Sequence, residues 1–79
     1  MSVEVSIVNI LVEALELEDE TINQSTDLFS LDEWDSLGML AVSAEIYDVF
    51  KIEISGDEFF AMETVADISN LVSTRSGRN

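Results

Sequence analysis

The ten residues LDEWDSLGML, Leu31 to Leu40, decide how this chain reads. Polar and acidic character holds up to Asp35, and apolar residues at helical spacing follow. Asp is a strong N-cap because its carboxylate accepts a hydrogen bond from a free N–H of the first turn. The stretch predicts a helix from Ser36 to about Phe50, capped by Asp35. On a wheel at about 100° per residue, Met39, Val42, Ile46, Val49 and Phe50 share one side, the expected core stripe. Leu37, Leu40, Ala41 and Ala44 fall on the opposite side, with Tyr47 at its margin. One stripe suffices for a surface helix. The second is either covered by the long preceding loop or a neighbouring helix, or it is a docking surface with an apolar centre and a charged rim.

On the N-terminal side, Val3 to Leu17 reads as an amphipathic helix. Val3, Ile7, Ile10, Leu11, Ala14 and Leu15 recur at steps of three and four, and Val5, Val8 and Val12 widen the stripe. Glu18 to Asp35 is a long acidic connection, and Leu28, Phe29, Leu31 and Trp34 are its expected anchors onto the core. On the C-terminal side, Ile52-Glu53-Ile54 is a short extended piece that Gly56 breaks. Asp57 to Ala61 can form one helical turn with acids at its N-terminal end, where the helix dipole favours them. Thr64-Val65-Ala66-Asp67 resembles a capping box with Asp in place of Glu. A last helix runs through about Val72 with Val65, Ile68, Leu71 and Val72 inward, and residues 73–79 are expected to fray. The expected fold is all-α. It is a small four-helix bundle of three main helices and one short one, with a long first loop, in a single domain over residues 1–79.

Composition narrows the function. The chain has 17 acidic and 3 basic residues among 79, a net charge of −14, with no His and no Cys. Thiolate metal sites and disulfides are excluded. Such a surface repels nucleic acid and anionic lipid and favours partners with basic patches. No basic leader and no long apolar run is present, so no membrane association, a cytoplasmic location and a monomer are expected. A nucleophilic Ser36 lacks a base, because His is absent and the lone Lys51 lies about four helical turns away. The chain is therefore not expected to be an enzyme. Asp32, Glu33 and Asp35 do not follow the EF-hand pattern, so no metal site is expected either. A phosphate on Ser36 would sit well at the positive end of a helix, although Asp-Ser ahead of an apolar run is, taken alone, mostly a capping signal.

The whole arrangement resembles the acyl carrier protein family. Its Asp-Ser-Leu signature is present as Asp35-Ser36-Leu37. The likeness continues through Leu28-Phe29 in the first loop, Phe50 and Ile52-Glu53-Ile54 after the second helix, the acidic Asp57-Glu58-Phe59-Phe60 turn, and Thr64-Val65-Ala66-Asp67. It covers about residues 3–72. The resemblance implies covalent 4′-phosphopantetheine on Ser36, taken from coenzyme A through a phosphopantetheinyl transferase. An acyl group would ride on this arm as a thioester. Asp35 would cap the helix and help align the transferase's metal and cofactor. Trp34, Leu37, Leu40 and Ala44 would face acyl-loading and acyl-processing enzymes that bear basic docking patches. The acyl chain would rest near Ile46, Ile54 and Met62.

Departures from the family pattern point to a specialised carrier in a dedicated pathway. Gly38 and Ala41 stand where fatty acid carriers place acids, and Tyr47 replaces an acid one turn on. Gly38 would leave room for a partner or the arm to approach. Trp34 stands where a small residue is common, and an aromatic at this place looks more like D-alanyl and other specialised carriers. The alternatives are an aminoacyl or D-alanyl carrier, and an unmodified acidic helical interaction module.

Overall fold

The computed structural model describes residues 2–17 and 22–76. It is a helical bundle with α1 at Val3–Ala14, α2 at Ser36–Phe50, the short α3 at Gly56–Phe60 and α4 at Val65–Ser76. A 3-10 turn, Leu28–Ser30, interrupts the first loop. The described residues contain no β-strand. The core is continuous, with Ile7, Leu11, Leu28, Val42, Ile46 and Ile68 fully buried at its centre.

α1 begins at Ser2, whose hydroxyl accepts from the Val5 N–H at 3.1 Å. It ends a turn before the expected Leu17. Glu16 turns left-handed at φ 54°, and the Leu17 and Glu16 N–H groups close back onto the Val12 and Glu13 carbonyls. This is a Schellman-type stop without the usual glycine. Val5 does not widen the buried stripe, because at 52 % exposure it lies beyond the edge of the packed face.

The first loop is held by backbone as much as by side chains. The Leu28 N–H donates to the Glu63 carbonyl at 2.8 Å. The Val65 and Ala66 N–H groups donate to the Thr26 and Gln24 carbonyls. Those donors belong to the first turn of α4, which has no partners of its own for them. The loop therefore caps α4 while α4 pins the loop. Of the four expected anchors, Leu28 and Trp34 are buried and Leu31 is half-buried against the core. Phe29 is not an anchor. The 3-10 turn that inserts Leu28 turns its neighbour outward, and Phe29 is 54 % exposed.

α2 buries Met39, Val42 and Ile46 as its core stripe. Val49, expected in that stripe, is half-exposed. It lines an open groove toward α1 rather than the core. Lys51 closes α2 in the left-handed region at φ 60°, with its ammonium 5.6 Å from the centre of the Tyr47 ring.

α3 starts one residue before the expected Asp57, because Gly56 is its first helical residue and not a break. The cause is a capping box. The Glu58 N–H donates to the Ser55 hydroxyl and the Ser55 N–H donates to the Glu58 carboxylate, at 3.2 and 2.9 Å. α4 runs to Ser76, a turn beyond the expected end at Val72. Arg75 fastens that turn by pairing with Glu58 and donating to the Glu53 carbonyl at 2.9 Å. Residues 73–76 are therefore helical, while 77–79 lie outside the described residues.

Candidate functional site

Asp35 lies in extended backbone, and its Oδ1 accepts from the Gly38 N–H at 2.8 Å. This starts α2 and leaves the Ser36 and Leu37 N–H groups without partners inside the helix. Ser36 is the first residue of α2 and is exposed to solvent. It stands at an apolar groove between α2 and α3. Ser36, Met39, Leu40, Ser43, Ile54, Gly56, Phe59 and Phe60 line it, and its volume is about 150 Å3. No carboxylate lines it. Along α2 it continues into a wider trough that shares Leu40, Ser43 and Ile54 and adds Ala44, Tyr47, Asp48 and Glu53.

The floor and lip of the groove differ. Phe59 is buried and meets Trp34 edge to face, with ring centroids 5.5 Å apart. Phe60, Leu37 and Leu40 are 60, 78 and 68 % exposed. They surround Ser36 as an unusually apolar rim on so acidic a chain. Ala44 is exposed on the same side of α2.

The structure separates the residues expected to work here. Ser36, Leu40 and Ile54 come together at the groove. Ile46 and Met62 are buried in the core and do not line it. Trp34, expected both as a loop anchor and as a docking residue, is the anchor and not a docking residue. It is only 6 % exposed, its ring is spent on Phe59, and its Nε1 has no acceptor. Gly38 is also corrected. A Cβ there would lie 2.1 Å from the Glu33 carbonyl oxygen and 2.8 Å from Leu15 Cδ2. The glycine admits the chain's own loop, so its open side is taken before any partner arrives.

Met39, Ser43, Phe59 and Phe60 were not anticipated as groove residues. Two of them carried a signal. Met39 and Ser43 lie three and seven residues after Ser36, hence on its face of the helix. Phe59 and Phe60 reach the site only through the fold.

The charges leave the groove itself neutral. The Glu58 carboxyl is lowered from its ordinary 4.5, first by the side-chain hydrogen bond from Arg75 and then by the Ser55 N–H. The Asp67 carboxyl is lowered from 3.8 by the Glu63 and Thr64 N–H groups. Both carboxylates hold element ends. Among the described residues no group of three or more acidic side chains converges on a possible metal position. Among them, too, no helix is long and apolar enough to cross a membrane.

A free serine oxygen at a helix N-terminus, beside an apolar groove, suits a covalently attached phosphate whose appended chain folds back over apolar surface. Comparison with family models matches residues 5–72 to the family described as the phosphopantetheine attachment site. Comparison with curated proteins and with solved structures gives no match.

Proposed function

The chain belongs to the phosphopantetheine attachment family, and from that premise we propose that it is an acyl carrier whose arm is attached at Ser36. Domains of this family carry covalent 4′-phosphopantetheine and serve as carriers that work with a phosphopantetheinyl transferase and partner enzymes. When bound, the arm supplies a terminal thiol that holds cargo as a thioester.

The observation that carries the assignment is the position of Ser36, at once the free N-terminus of α2 and the lip of the groove. The Ser36 and Leu37 N–H groups face a phosphodiester there with the positive end of the helix dipole. Asp35 holds those N–H groups in place through Gly38.

The groove supports an acyl cargo over an aminoacyl one, since its lining beside Ser36 is apolar and carboxylates, Asp48 and Glu53, enter only in the wider trough beyond it. A charge buried without a partner is costly. The groove is open and runs into the wider trough along α2, so an acyl chain can extend from Ser36 over Leu40, Ser43 and Ile54. Leu37, Leu40, Ala44 and Phe60 form the face that partner enzymes meet. That face has few acids of its own, which supports a dedicated pathway over bulk fatty acid synthesis. A cytoplasmic setting fits the same reading.

The test is the intact mass of the chain after incubation with coenzyme A and a broad-specificity transferase, alongside Ser36→Ala. A gain of one phosphopantetheine that vanishes in the variant is expected. A gain that persists in Ser36→Ala, or none in either protein, would mean that the arm is not carried at Ser36.

A further inference from the structure

α2 has a second flank. On the side away from Ser36, Val8, Ile10, Val12 and Val49 floor an open groove between α1 and α2, with Glu13 and Glu45 at its edges. It measures about 670 Å3, far more than the groove beside Ser36. On the wheel, Glu45 and Val49 stand roughly 140–180° from Ser36, so a partner seated here does not obstruct the arm. Val49 and the adjacent Val5 are each 52 % exposed. Among the described residues the only ion pair is Arg75 with Glu58. Among the described residues Glu13 and Glu45 therefore have no paired cation.

We propose that this groove is a second docking site, independent of the arm, for a basic amphipathic helix of a partner protein. The floor takes the apolar face of such a helix, and Glu13 and Glu45 take lysines or arginines flanking it. Charge selects the occupant. A second copy of the chain also carries −14 and is repelled. Nucleic acid and anionic lipid are repelled for the same reason. A partner held here leaves Ser36 and the α3 groove open to loading and cargo transfer.

The test uses the full chain and a synthetic helical peptide about as long as α1, with leucines along one face and lysines beside them. A scrambled isomer of equal charge is the control. Binding is followed by amide chemical shifts. The expected result is a set of shifts centred on Val8, Val12, Glu13, Glu45 and Val49, with affinity falling as salt rises. The scrambled peptide binds more weakly. Glu13→Lys with Glu45→Lys weakens binding about tenfold, and the milder Glu45→Gln weakens it in the same direction. Equal binding of the scrambled peptide, shifts centred on Leu37 and Leu40, or no binding at all would overturn the proposal.

Discussion

The two flanks of α2 come from one helix and face different problems. On the α3 side the surface is apolar to its rim, the groove is small, and the wall is a five-residue helix. On the α1 side the wall is a twelve-residue helix, the groove is wide, and carboxylates stand at its edges. The α3 wall is too short to hold itself by helix propensity. It depends on the Ser55–Glu58 capping box and on Arg75 reaching over from α4. A wall fastened at a few points can shift to admit a cargo, whereas a wall packed along its whole length is a fixed platform. On the proposed reading labour divides around one helix, with cargo and the enzymes that handle it on the loosely held side and the basic helix on the side walled by α1.

The sharpest way to break this comparison is at Ser36. Ser36→Ala should abolish transfer of phosphopantetheine, read by intact mass, while saturation of the α1 flank with the basic peptide leaves the loading yield unchanged. Loss of loading in the presence of peptide would join the two flanks into one site.

The next largest effect separates floor from lip. Phe59→Ala removes a buried ring that also supports Trp34 and should cost about 3–5 kcal/mol by denaturant unfolding. Phe60→Ala, on the exposed lip, should stay within about 0.5 kcal/mol. Equal costs would show that the lip is part of the core.

Gly38 tests the seam between loop and helix. Alanine is the better helix former by about 1 kcal/mol. Its methyl must nevertheless displace the Glu33 carbonyl and Leu15, and overpacking of this kind costs about 1–3 kcal/mol. A net loss of stability is expected, and a gain would mean that the loop yields freely.

The smallest effects are electrostatic. Glu58 and Asp67 both titrate lower in the folded chain than in the unfolded one. Their contribution is therefore complete above their ordinary values of 4.5 and 3.8 and is lost as pH falls through the folded values. Arg75→Ala should flatten the Glu58 share of that acid loss in pH-dependent unfolding and loosen the α3 wall. Added salt should raise the melting temperature of a chain at −14, because it screens self-repulsion.

Most of the fold was legible because its signals are local. Asp35 announced the start of α2, and the stripes of α1, α2 and α4 followed from apolar spacing. The misreadings came where a residue's fate depends on something distant. Gly56 looked like a breaker, although Ser55 and Glu58 stood at capping-box spacing around it. The last turn of α4 looked like tail because Arg75 finds its partners in α3 and the Ile52–Ile54 segment only after folding. Phe29 and Trp34 are both aromatic residues of one loop, but the 3-10 turn sends Phe29 outward while Trp34 goes inward onto Phe59, which only the fold brings there. At the site, Ser36 and Leu40 were readable from motif and periodicity. Phe59 and Phe60 were not, because nothing in sequence ties residues 59–60 to residue 36.

The most direct measurement loads the chain with a hexanoyl arm, from hexanoyl-coenzyme A and a transferase, and compares its amide chemical shifts with those of the unloaded chain. The account predicts changes at Met39, Ser43, Ile54 and Phe59 beyond those at the attachment point, with Val8, Val12 and Val49 unmoved. Changes confined to Ser36 and its immediate neighbours, or centred on the α1 flank, would contradict it.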